Sequence, residues 1–290
     1  MMTGCIFAKD NNLTGDRKTV LKTVKLNSGY EMPVLGLGTW TLTDSVCENA
    51  VYSAIKDGYR LIDTAKYYGN EKEVGKGIAK AVKDGICSRE EIFITTKIVP
   101  WTSNPKSDIE DSLKQLGVDY IDLCLLHQSG GSASDDRVYK AMIEAQKQGK
   151  IRSIGISNFY TENSVRHFFN FEIKPAVVQN ENHIFNQEEE LKSFCQKNNI
   201  YIESYYPFGG RGHTGESFNN PVIVKIAENH EKTSAQIIVR WHLQAGFIAI
   251  PGSSNPVHIL ENYSVWDFEL SDDEMKEISS INKNRRYENW

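Results

Sequence analysis

Three short apolar runs in this sequence end in side chains that can hold or move a proton. Residues 60–63 (RLID) end in Asp63, 92–97 (IFITTK) end in Lys97, and 120–126 (YIDLCLL) run directly into His127. Two further runs, 151–157 and 176–179, end in Ser157-Asn158 and Gln179. Side chains alternate between the two faces of an extended strand. Leu61 therefore shares a face with Asp63, Phe93 and Thr95 share one with Lys97, and Leu123 and Leu125 share one with His127. Charged groups on a core-facing side are seldom buried alone, so Asp63 and Lys97 are expected to pair. Taken singly, an Asp before a Thr caps a helix, and a Lys or His at a strand end lies on a solvated rim. Together, a carboxylate, an ammonium and an imidazole at matching positions on three adjacent strands point to a joint functional site.

The elements that must position these groups alternate in type. Candidate strands fall at 34–37, 60–63, 92–97, 120–126, 151–157, 176–179, 200–205 and 247–250. Amphipathic helices are expected near 44–57, 71–85, 105–116, 136–148, 161–170, 187–198, 222–243 (broken near Lys232-Thr233) and 257–263. A last helix fits 272–281, with Ser271 as its cap and Glu274 at capping-box spacing. Eight strand–helix pairs in series imply a parallel sheet, and eight units close a (β/α)8 TIM barrel. A doubly wound open sheet is the alternative, but Gly36-Leu37-Gly38-Thr39-Trp40 lacks the third glycine of a dinucleotide fingerprint. The barrel is favoured. It is preceded by an N-terminal β-hairpin, 20–26 and 31–35 around Asn27-Ser28-Gly29, and followed by additional C-terminal helices. Residues 1–20 are polar and aperiodic, and read as a flexible extension to one domain spanning 21–290.

Composition excludes several classes. The 290 residues carry 33 Lys plus Arg against 38 Asp plus Glu, a net charge of -5, which argues against nucleic-acid binding. No apolar run reaches the length of a transmembrane helix, and the N-terminus has no signal-peptide core. Five scattered cysteines without a C-x-x-C pair fit a reducing cytoplasm rather than a disulfide framework. The histidines show no zinc-site spacing, so no metal is expected. Nothing demands a partner subunit, so a monomer is the simple expectation.

Asp63-Thr64-Ala65-Lys66-Tyr67-Tyr68-Gly69-Asn70-Glu71 resembles the D-T-A-x-x-Y-G-N-E signature of the aldo-keto reductases. Lys97, His127 in Leu125-Leu126-His127-Gln128, the 149–159 block GKIRSIGISNF, and Gln179-Asn180-Glu181-Asn182-His183 match further blocks in order. Ile250-Pro251-Gly252-Ser253-Ser254 and Glu261-Asn262 resemble the family's C-terminal cofactor segment, and the resemblance runs from about Leu21 to Trp290. It implies NADPH-dependent reduction of aldehydes and ketones by a tetrad of Tyr68, Lys97, Asp63 and His127. Motif spacing selects Tyr68 rather than Tyr67 as the general acid. A nearby ammonium is expected to lower the tyrosine pKa, and His127 to hydrogen-bond the carbonyl oxygen. The resemblance assigns Ser157, Asn158 and Gln179 to a nicotinamide carboxamide and Tyr205, followed by Pro207, to the ring. It places Ser253, Ser254, Asn255, His258, Glu261 and Asn262 along the rest of the cofactor. The glycine-rich 209–215 loop, with Arg211, can bring backbone N–H groups to a pyrophosphate.

Gly252 and His258 stand where many NADPH-selective members carry a lysine and an arginine. NADP(H) stays the first choice, with NAD(H) or dual use open. Trp40, Trp101 and Tyr67 are expected to wall a permissive substrate pocket for small carbonyl compounds. Two rival readings stand beside the reductase. One is a cofactor-binding redox sensor or regulatory subunit on the same fold, similar to the potassium-channel β subunits. The other is an aldolase-type barrel with Lys97 as Schiff-base nucleophile. Retention of the whole tetrad favours the enzyme over the sensor. The aldolase leaves Tyr68 and Ser157-Asn158 without a task.

Overall fold

The structure is a computed structural model that describes residues 22–289. The expected extension at 1–20 lies outside the described residues. The chain opens with a hairpin, β1 (Thr23–Lys25) against β2 (Glu31–Pro33), antiparallel. Its turn closes on Gly29 at φ 92°, in the left-handed region that glycine enters freely. The turn reaches the N-terminal ends of the barrel strands, where Ser28 Oγ lies 2.7 Å from Ser153 Oγ and Asn27 Nδ2 donates to the Pro175 carbonyl. The hairpin's own Leu26 and Met32 are buried, so it plugs the bottom of the sheet.

Eight parallel strands follow: β3 (Leu37–Gly38), β4 (Leu61–Asp63), β5 (Phe93–Ile98), β6 (Ile121–Leu126), β7 (Ile151–Ser157), β8 (Val177–Glu181), β9 (Tyr201–Tyr205) and β10 (Ile248–Ala249). Each pairs with the next in sequence. A parallel bridge between Leu35 and Ala249 joins the two ends, reinforced by the Gly36 amide donating to the Ala249 carbonyl at 2.9 Å. The strands therefore curl into the (β/α)8 fold. A side chain cannot be fitted at Gly36, because its Cβ would lie 2.4 Å from Leu61 Cγ. Expected strand positions hold, although β3 and β10 shrink to two residues at the closure.

The surrounding helices are α1 (Asp44–Asp57), α2 (Glu71–Lys83), α3 (Pro105–Leu116), α4 (Ser132–Lys147), α5 (Glu162–Arg166), α6 (Glu189–Lys197), α7 (Thr214–Phe218), α8 (Pro221–His230), α9 (Ser234–Gln244), α10 (Pro256–Tyr263) and α11 (Asp272–Ser280). The break expected near Lys232-Thr233 separates α8 from α9: Glu231 turns left-handed at φ 53°, and Thr233 starts a capping box with Gln236. The single helix expected over 161–170 is instead α5 followed by a 3-10 turn, His167–Asn170. Helix α7 has no counterpart among the expected elements. Besides α7, two helices stand outside the strand–helix alternation, α8 and the C-terminal α11. They meet through Lys225–Glu277 and His230–Glu274 pairs at 3.2 and 3.0 Å. Among the described residues, no helix is long and apolar enough to cross a membrane.

Candidate active site

Strand geometry delivers Asp63, Lys97 and His127 to one end of the barrel. Asp63 ends β4, Lys97 lies on β5 in register with Leu125, and His127 follows β6, its amide donating to the Ile98 carbonyl. Asp63 and Lys97 are 2% and 1% exposed. Their expected pairing is met: Lys97 Nζ lies 2.6 and 2.8 Å from the two Asp63 oxygens and 2.8 Å from the Thr64 carbonyl. A fourth neighbour is the Tyr68 hydroxyl, at 3.2 Å. Burial draws the Lys97 pKa down, but Asp63 and Tyr68 together hold it above its ordinary value. Burial pushes the Asp63 carboxyl up against the pull of Lys97.

Tyr68 reaches the cluster because the chain after Asp63 is locked. Residues Lys66–Tyr68 form a 3-10 turn that ends on Gly69 at φ 70°. Asn70 fastens it, accepting from Thr64 Oγ1 at 2.7 Å and donating to the Thr39 and Leu42 carbonyls at 2.9 Å. Adjacent Tyr67 makes no contact with Lys97, is 61% exposed and meets His127 edge-on, ring centroids 6.1 Å apart. One expectation is corrected here. Lys97 does pull the Tyr68 pKa down, but burial outweighs it and the phenol is pushed up to about 12. The phenol is therefore protonated at neutral pH and is a proton donor at rest.

His127 packs edge-on to Tyr68, ring centroids 5.7 Å apart. Burial, then the Lys97 charge, pushes its pKa down to about 3, so the imidazole is neutral. Its Nδ1 is buried without a partner. The other nitrogen, Nε2, is the one left for a ligand.

These groups face a cavity of about 640 Å³ that runs across the C-terminal mouth of the barrel. At one end stand Trp40, Tyr67, Trp101 and Gln128. Trp40 packs on Tyr68 at 4.6 Å, and Trp101, 58% exposed, meets Tyr67 edge-on at 6.0 Å. The cavity is also lined by Tyr205, Pro207, the 210–212 loop, Ser253 and Ser254. Ser157, Asn158 and Gln179, at the ends of β7 and β8, form its floor. Asn255, His258, Glu261 and Asn262 do not line the cavity. Asn255 caps α10, accepting from the Val257 amide, His258 is exposed on that helix, Glu261 is half-buried and Asn262 is buried.

The floor is internally bonded. Asn158, left-handed at φ 64°, donates to the His127 carbonyl and to Ser157 Oγ, at 2.9 and 3.2 Å. Its Oδ1 lies 2.7 and 3.0 Å from the Tyr205 and Tyr160 hydroxyls. Asn158, expected to meet a carboxamide, lines the cavity, and its amide is bonded to the barrel. Gln179 Nε2 donates to Asp63 Oδ2 and Glu203 Oε2, both at 2.8 Å. Glu203 is not among the expected site residues. The alternation of Tyr201, Glu203 and Tyr205 on β9 carries that signal, since it places Glu203 on the Tyr205 side.

The C-terminal tail also joins the site without a signal in its sequence. Tyr287 and Glu288 donate their amides to the buried Glu181 carboxylate at 2.6 and 2.9 Å. Glu216 on α7 then gathers Lys283, Arg285 and the Tyr287 hydroxyl at 2.9, 2.6 and 2.8 Å. The Tyr287 ring stacks on His213 at 3.8 Å. The tail thus straps the glycine-rich loop to the barrel.

A closed parallel barrel with a phenol, an ammonium, a carboxylate and a neutral imidazole at its C-terminal mouth is built as an enzyme of proton-coupled chemistry. The sequence profile of the Aldo/keto reductase family matches residues 34–283. A methylglyoxal reductase of Escherichia coli is 40% identical over 91% of this chain and 94% of its own length. A probable NAD(P)H-dependent D-xylose reductase of Emericella nidulans is 38% identical over 91% and 95%. The crystal structure of an aldo-keto reductase from a deep-sea metagenome library superposes with a TM-score of 0.87, at 39% identity over 92% and 97% of the chains. A Bombyx mori aldo-keto reductase in complex with NADP gives 0.84, at 36% identity over 91% and 94%. The chain belongs to the aldo/keto reductase family, and it is an oxidoreductase of that family.

Proposed function

We propose that this chain reduces aldehydes and small ketones to alcohols, with NADP(H) as the favoured cofactor and NAD(H) also used. The donor set of the cavity fits a nicotinamide. Ser157 Oγ accepts from Asn158 and so keeps its own hydrogen to donate. Gln179, with both N–H groups engaged, keeps its carbonyl to accept. A hydroxyl donor beside an amide acceptor complements a carboxamide. The half-buried Tyr205 ring, held by its hydroxyl, offers a face for a planar ring. A bound nicotinamide supplies hydride to the carbonyl carbon. His127 Nε2 holds the carbonyl oxygen, and Tyr68 donates its hydroxyl proton to that oxygen. Lys97 steadies the charge left on the Tyr68 oxygen, and Asp63 holds Lys97.

The single observation that carries this reading is the Tyr68–Lys97–Asp63 contact inside a cavity that also holds a neutral imidazole. Ser253 and Ser254, which line the cavity, support the choice of NADP(H), because their hydroxyls can donate to a 2′-phosphate. Buried free thiols at Cys47, Cys87, Cys124 and Cys195 support a reducing cytoplasm. The test follows loss of NADPH, and separately NADH, absorbance with a reactive aromatic aldehyde. Turnover with NADPH at least equal to that with NADH supports the proposal. Cofactor binding without turnover across a varied aldehyde panel overturns it.

A further inference from the structure

Glu203 carries a fully buried carboxyl group that none of the steps above uses. It lies on β9, directly opposite Gln179 of β8 in the parallel register, with Ile248 of β10 on its other side. Its Oε2 accepts from Gln179 Nε2 at 2.8 Å, and its Oε1 is buried without a partner. The second Gln179 N–H goes to Asp63 Oδ2, also at 2.8 Å.

This arrangement decides which way the Gln179 amide faces. A primary amide has one end that only donates and one that only accepts, and they exchange by a half-turn. Asp63, ionised against Lys97, can receive only the donor end, and the Glu203 carboxyl receives it at Oε2 with its own proton on the unpartnered Oε1. Asp63 alone would satisfy one N–H and leave the other buried without an acceptor, a state that favours rotation of the amide. With Glu203 present, both N–H groups are satisfied and the carbonyl is left to the cavity.

We propose that Glu203 is a positioning residue: by accepting the second N–H of Gln179, it fixes that side chain with its carbonyl toward the cavity, as the acceptor for a nicotinamide carboxamide. The inference rests on the reductase reading above. Glu203 touches neither cofactor nor substrate, and it acts through Gln179 alone.

The test is cofactor recognition read by quenching of intrinsic tryptophan fluorescence, without turnover. NADP+ is compared with its 3-acetylpyridine analogue, in which a methyl group replaces the carboxamide NH2. Wild type should bind NADP+ about three- to tenfold more tightly than the analogue, the range of one neutral hydrogen bond. Glu203→Gln keeps an acceptor oxygen and should keep that preference. Glu203→Leu should bring the ratio close to one, chiefly by weakening NADP+. Glu203→Asp, one methylene short of Gln179, should do the same and serves if the leucine variant does not fold. Preference retained in Glu203→Leu or Glu203→Asp overturns the inference, as does its loss in Glu203→Gln. Wild type that binds NADP+ without preference also overturns it. Wild type that binds no cofactor instead overturns the reductase reading itself.

Discussion

The Lys97 ammonium stands 3.2 Å from the Tyr68 hydroxyl and leaves the phenol protonated. Burial opposes the phenolate more strongly than one shared cation supports it, because Lys97 is already committed to Asp63 at 2.6 Å. The resting site therefore holds its proton where a developing alkoxide needs it.

Replacing Tyr68 by Phe removes that proton and little else. The ring still packs against Trp40 and His127. A positioned general acid contributes about 10²- to 10⁴-fold. Tyr68→Phe should lower kcat by that factor while NADPH affinity, read by fluorescence titration, stays within about twofold of wild type. A variant with more than a tenth of wild-type kcat would remove Tyr68 from the role.

Lys97→Met tests the charge balance. It deletes the partner of a buried carboxylate, and breaking a buried pair in this way costs about 3–5 kcal/mol. The urea midpoint should fall accordingly. Adding Asp63→Asn removes the uncompensated charge, so the double variant should recover part of the stability and none of the activity. No recovery would show that packing, rather than charge, dominates at this position.

Much of this site is legible in the sequence because strand ends are simple objects. Alternation alone puts Asp63, Lys97 and His127 on core-facing sides, and charge makes the first two partners. The capping box at Ser271 and the break before Thr233 are equally local, set by residues three apart. What escapes is non-local. The value of the Tyr68 pKa depends on how deep the hydroxyl lies, which no spacing reports. The tail over 283–288 has no periodicity, and its anchors, Glu181 and Glu216, lie more than sixty residues away.

Cofactor preference should respond at one position and resist change at the other. A Cβ on Gly252 would sit 2.9 Å from the Gly38 carbonyl oxygen, which is backbone and cannot swing aside. Gly252→Lys should therefore disturb the β3 end of the cavity and lower kcat/KM with both cofactors. His258 is exposed on α10, so His258→Arg places a cation there without strain. A charge-assisted hydrogen bond contributes about 1.5–3 kcal/mol, less when solvated. The NADPH to NADH ratio of kcat/KM should rise about three- to tenfold in His258→Arg. An unchanged ratio would mean that α10 does not reach the 2′-phosphate.

The strap predicts a release phenotype. Glu216 holds Lys283, Arg285 and Tyr287, and these contacts keep the loop that lines the cavity against the barrel. Exposed ion pairs are individually weak and screened by salt. Glu216→Ala should therefore speed NADP+ release, measured by stopped-flow fluorescence, by about two- to fivefold, less than about 1 kcal/mol. High salt should produce the same acceleration in wild type and little more in the variant. Equal release rates at low salt would mean that the loop opens without the tail.

The last prediction concerns pH and stability. Burial, then the Asp63 charge, pushes the Glu203 carboxyl up to about 8, against about 4.3 for a glutamate in the unfolded chain. Between those values the folded protein holds a proton that the unfolded chain has released. Stability is therefore fully present below the lower value and declines as pH rises through the folded one, with a slope of at most about 1.4 kcal/mol per pH unit for one proton. The melting temperature should fall from pH 5 to pH 8. Glu203→Gln carries no titrating proton at this position, so its decline over that range should be shallower, and its advantage over wild type should be greatest at pH 8. Parallel pH profiles for the two proteins would place the folded Glu203 pKa near its unfolded value and assign the decline to other groups.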